Sequence, residues 1–142
     1  MAGYFTKLNG HVYEGEYVAG ETLANGDFVS IVNGAVKKLT AASDEEFVID
    51  EKTTLWGAEA IRMHCIKEGD GNVFVVENEW EDYGDKDINL ATYTVPTGHY
   101  VKMRAPEKGD QLIITVATAT YSALSVGDTV KPASGGSVAK KS

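Results

Sequence analysis

Two stretches of this 142-residue chain share one pattern: Leu23-Ala-Asn-Gly26-Asp27-Phe-Val29, followed by Gly34 and Val36, and Leu124-Ser-Val-Gly127-Asp128-Thr-Val130, followed by Gly135 and Val138. The Leu-to-Gly-Asp and Gly-Asp-to-Val spacings match, and the second glycine stands eleven residues after the leucine in both copies. A Gly-Asp pair reverses a chain at low cost, because glycine accepts φ > 0 and the aspartate carboxylate accepts from nearby backbone amides. Flanked by alternating hydrophobics, such a pair marks a hairpin. A chain bracketed by two of these units is expected to be built from short antiparallel strands.

The rest of the sequence keeps that rhythm. Fifteen glycines and only three prolines are present, and apolar residues alternate more often than they recur every three or four positions. Strands are expected at His11–Val18, Asp27–Val32, Ala35–Leu39, Ala58–Ile66, Val73–Glu77, Ile88–Val95, His99–Arg104 and Gln111–Thr118, with Asn33-Gly34 closing a hairpin. In Ala58–Ile66 the period of two places Ile61, Met63 and Cys65 on one face and Arg62 and His64 on the other, so Cys65 reads as a small core residue. Ser43 and Glu46 have capping-box spacing, which suggests one helical turn within Leu39–Phe47. The expected fold class is all-β: a small barrel or sandwich of short antiparallel strands with an extended N-terminal arm. Residues 1–17 would be that arm or a first strand, 18–131 the β-rich domain, and 132–142 a C-terminal strand or flexible tail.

Composition narrows the function. A net charge of -8 and a pI near 4.8 repel a phosphate backbone, which is bound through Lys and Arg that displace counterions, so nucleic acid is not expected as a partner. No segment approaches the ~20 apolar residues of a membrane span, and the first residues lack the apolar run of a secretory signal. The reading is a soluble protein made in the cytoplasm, without a membrane partner. With Cys65 the only cysteine, neither an internal disulfide nor a thiolate zinc site is available.

Catalytic signatures are missing: there is no Gly-x-Ser-x-Gly elbow, phosphate loop, Gly-x-Gly-x-x-Gly or His-Glu-x-x-His. His64 and Cys65 are adjacent, but neighbours on a strand point to opposite faces, which is poor geometry for a nucleophile and its base. His11, His64 and His99 have no ligand spacing and read as solvated or hydrogen-bonded side chains rather than a metal triad. Glu81, Asp82, Asp85 and Asp87 offer oxygens for calcium but lack the Asp-x-Asp-x-Asp-Gly spacing, so they read as a solvated face. No enzyme activity, cofactor or metal is expected. What remains is contact chemistry. Tyr4, Phe5, Tyr13 and Tyr17 place aromatic weight among glycines and polar residues, as in an arm that adds a strand to a neighbour. Trp80 and Tyr83 sit in the acidic segment 77–87 and form a second candidate contact patch.

Three segments resemble a known family. Tyr100-Val-Lys-Met-Arg104-Ala-Pro-Glu-Lys-Gly109-Asp110-Gln-Leu-Ile-Ile-Thr115, Tyr121-Ser-Ala-Leu-Ser-Val-Gly-Asp-Thr-Val-Lys-Pro-Ala-Ser-Gly-Gly136, and Ala19-Gly-Glu-Thr-Leu-Ala-Asn-Gly-Asp-Phe-Val29 with Asn33-Gly-Ala-Val-Lys-Lys38 are similar to small structural proteins of tailed bacteriophages. They look in particular like head decoration, or capsid cement, proteins. The resemblance implies a non-enzymatic β-rich domain, commonly a homotrimer, on the outer surface of the capsid, where it bridges major capsid protein subunits. It carries over no catalytic or contact residue. Two other readings compete: a phage tail, neck or fibre component, and a sugar or small-ligand module using Trp56, Trp80 and Tyr83 as stacking platforms.

Overall fold

The computed structural model describes residues 3–7, 12–69, 71–78 and 94–141. They form β1 (Gly3–Lys7), β2 (Val12–Tyr13), β3 (Val18–Ala19), β4 (Leu23–Ala24), β5 (Phe28–Val32), β6 (Ala35–Lys38), β7 (Glu46–Leu55), β8 (Ala58–Lys67), β9 (Phe74–Val76), β10 (Thr94–Val95), β11 (Met103–Arg104), β12 (Gln111–Thr115), a short helix α1 (Thr118–Ala123), β13 (Thr129–Pro132) and β14 (Val138–Lys140). The class is all-β, as expected, with curled sheets that form a half-barrel. One six-stranded sheet has the order β1-β12-β8-β7-β13-β14, a second β2-β11-β9-β5-β6-β3, and β4 pairs with β10 as a small third sheet. All pairings between these strands are antiparallel except β3 with β6.

The core lies between the two large sheets. Ile61, Met63 and Cys65 of β8 face it, as the period of two requires, with Phe47 and Ile49 of β7, Leu112 and Ile114 of β12, and Phe28 and Val75 from the second sheet. Phe28 and Phe47 meet edge to face, 5.5 Å between centroids, the arrangement their ring quadrupoles favour. The second sheet is apolar on its other face too. There Val29, Val36, Phe74, Val76 and Met103 join Ala19, Leu23, Val95 and Val101 in a second buried cluster. The unbroken run Val73-Phe-Val-Val76 belongs to a strand buried on both faces.

The Gly-Asp unit occurs as a turn three times. Gly26, Gly109 and Gly127 have φ of 90°, 96° and 90°, the glycine position of a type II turn. In each turn the aspartate carboxylate accepts from the amide three residues back: Ala24 to Asp27 at 2.8 Å, Glu107 to Asp110 at 2.9 Å and Ser125 to Asp128 at 2.8 Å. The aspartate amides donate in return to the same residues' carbonyls. Each turn glycine also donates to a strand, at Val76, Cys65 and Ile49, so the turns lock the sheets as well as reversing the chain.

Two hairpins close with two-residue turns in which both residues have positive φ. Asn33 and Gly34 stand at 51° and 81°, Trp56 and Gly57 at 50° and 82°, the type I′ geometry that matches strand twist. Two expectations are corrected. Leu39–Phe47 contains no helical turn: Ser43 Oγ donates to Glu45 instead of capping a helix, and Phe47 enters the ten-residue strand β7, whose pairing with β8 overrides a weak local preference. The helix is instead Thr118–Ala123, where Gln111–Thr118 was expected to remain strand. No side chain caps its N-terminus. Its other end is held by Lys52, whose Nζ lies 4.2 Å from the centroid of the Tyr121 ring and donates to the Leu124 carbonyl at 2.7 Å.

Candidate interaction surface

Of residues 1–17, Gly3–Lys7 forms an edge strand on the chain's own β12, with Tyr4 opposite Ile113 and Phe5 opposite Leu112. Of the two forms expected for that segment, these five residues take the first strand. Tyr13, opposite Met103, stacks edge-on against Phe74 with centroids 5.2 Å apart. Tyr17 packs half-buried on the same second cluster. Both rings therefore serve the chain's own interior. Trp80 and Tyr83, with Glu81, Asp82, Asp85 and Asp87, lie outside the described residues, as does His11.

The stems of that acidic segment are firmly placed. Asn78 donates its amide to Asn25 Oδ1 at 2.7 Å, Asn25 Nδ2 donates back to the Asn78 carbonyl at 2.9 Å, and Asn78 Oδ1 accepts from Lys102 at 2.7 Å. On the far side Thr94 and Val95 pair with Ala24 and Leu23. Both stems thus rest on the first Gly-Asp turn. Next to it, Arg104 and Glu77 form a nearly buried ion pair at 2.9 Å.

The reactive side chains do not assemble. Cys65 is buried, and burial pushes its thiol up to about 11, so almost no nucleophilic thiolate exists at neutral pH. His64 lies across the strand on the opposite face. Its Nδ1 is 2.9 Å from both oxygens of Asp50, the extra residue of a bulge between Ile49 and Glu51. A carboxylate only accepts, so Nδ1 carries the proton. His99 is exposed in the turn after β10. Among the described residues no three His, Cys, Asp or Glu side chains gather as metal ligands. Surface clefts of about 300, 420 and 290 Å³ are present, and neither a histidine nor the cysteine lines them. No helix among the described residues is long and apolar enough to cross a membrane.

Apolar groups at the surface stand at turns and loops. Tyr100, beside the Asn78 clamp, is 63% exposed, Val126 in the third Gly-Asp turn 61%, and Trp56 at the tip of the β7–β8 hairpin 39%. Composition alone did not single out Tyr100 or Val126. Trp56 carried a signal: a Trp-Gly pair between two alternating runs occupies the place where Asn-Gly belongs. No family model matches the chain, and no curated protein and no solved structure matches it.

Proposed function

We propose that this chain is a virion structural protein of a tailed bacteriophage, one that decorates the outside of the head and stabilises it by bridging major capsid protein subunits. The observation that carries the reading is where the family resemblance falls. Its three segments each contain one of the three turns built on Gly26-Asp27, Gly109-Asp110 and Gly127-Asp128. The likeness therefore lies in the frame that holds the sheets. A rigid frame with apolar groups raised on its turns suits a protein that works by pressing surfaces against neighbours. The acidic charge of -8 suits an outer position, away from packaged DNA. As a homotrimer it would hold weakly at each contact and firmly overall, because later contacts become intramolecular.

The test is the copy number of this protein relative to the major capsid protein in purified virions, by quantitative mass spectrometry, with antibody labelling to locate it. A fixed ratio of one or a simple fraction, with label on the head, is expected. Absence from particles, or label confined to the tail, removes the reading.

A further inference from the structure

The chain closes its two type I′ hairpins with chemically different residues at the same backbone position. Asn33 suits φ near +50° because its short carboxamide bonds locally and relieves the crowding of a left-handed residue. Trp56, at φ 50°, has no such relief, and a bulky side chain there is an outlier. The indole is not held in this conformation by full burial, since Trp56 is 39% exposed. Strain kept at an exposed position points to a use outside the fold.

The setting is that of a rigid anchor. β7 and β8 are ten residues each, the longest strands present, and Leu55, Ala60 and Ile113 form a small buried cluster close behind the tip. The indole therefore meets a partner already placed, with little ordering left to lose. It offers the large flat area and single N–H donor that make tryptophan a dominant interface residue. A sugar would need convergent hydroxyl, amide or carboxylate groups beside the ring. The adjoining residues in the tip, Leu55, Gly57 and Ala58, provide none.

We propose that Trp56 is an anchor through which this protein seats on another protein, its indole entering an apolar pocket of the partner. The inference rests on the proposed function, which makes the partner a subunit of the capsid shell. The test is Trp56→Asn, which installs the residue that the turn prefers. The melting temperature rises by about 3 °C as the strain is relieved, while binding to isolated expanded shells weakens at least about tenfold. A fall in melting temperature overturns the inference by making the indole a packing residue. Unchanged shell binding by the variant, with the wild type bound, overturns it and leaves the proposed function intact. Failure of the wild type to bind shells removes both. A change in tryptophan fluorescence with a panel of glycans, lost in Trp56→Asn, replaces the protein pocket with a sugar.

Discussion

The three Gly-Asp turns repeat one hydrogen bond in three environments, so replacing each aspartate by alanine measures what burial does to that bond. At Asp27, 2% exposed, the Ala24 amide is buried with its partner. Asp27→Ala strands that amide away from water and removes a charge-assisted bond, together about 3 kcal/mol. At Asp110 the Glu107 amide is part-buried, and a loss of about 2 kcal/mol is expected. At Asp128 the Ser125 amide is exposed, so water replaces the carboxylate and the loss is about 1 kcal/mol. The Lys140 contact of Asp128, at 3.6 Å on the surface, adds little. For a chain of this size each kcal/mol moves the melting temperature by about 3 °C, giving drops of roughly 9, 6 and 3 °C. Thermal melts followed by circular dichroism, with urea unfolding to check that the slope is unchanged, provide the measurement. Equal drops, or the largest drop at Asp128→Ala, refute the idea that the worth of the turn is set by the burial of its amide.

Three further outcomes are expected. Burial, the largest influence on Asp27, raises its carboxyl above the ordinary value of 3.8; the folded state then binds the proton more tightly than the unfolded, and stability due to this group falls as pH rises through the raised value. Asp27→Asn keeps an acceptor without the charge, so its melting temperature relative to wild type should be higher at pH 7 than at pH 4; a difference constant with pH argues against a buried charge. Cys65, with its thiol at about 11, should resist iodoacetamide at pH 8 in the native protein and react in urea; native labelling at the rate of a free thiol contradicts the buried assignment. Arg104→Met should cost about 3 kcal/mol in urea unfolding by leaving Glu77 uncompensated, and a second change, Glu77→Leu, should recover most of it; an unaffected single variant shows that the 2.9 Å pair contributes nothing.

The parts of the fold legible in the sequence are those fixed by nearest neighbours. Asn33-Gly34 announced its hairpin, and the alternation in Ala58–Ile66 sorted Ile61, Met63 and Cys65 inward and His64 outward. β7 was missed because two of its signals conflict with simple alternation. It begins beside Ser43 and Glu46, whose spacing imitates a helix start, and the bulge at Asp50 shifts its period. The helix Thr118–Ala123 was missed for a different reason. It has no buried residue and no side-chain cap, so no stripe or capping motif marks it; Lys52, distant in sequence, holds it instead.

The contact residues show the limit of reading by composition. Tyr13 and Tyr17 looked like aromatic weight without a core, yet Val73-Phe-Val-Val76 already implied a strand buried on both faces, and hence a second apolar layer for them to join. A count of aromatics cannot separate rings that a core requires from rings that it leaves over. A residue that breaks a local rule can, because the fold alone gives no reason to keep it. Trp56 in a turn that prefers asparagine is such a residue. The difference bears on how the proposed function is tested. Deleting residues 1–17 removes β1 from β12 and two rings from the second core, so lost attachment would follow from damage to the domain whether or not an arm binds anything. Trp56→Asn moves stability and attachment in opposite directions, and a residue that only supported the fold would move them together.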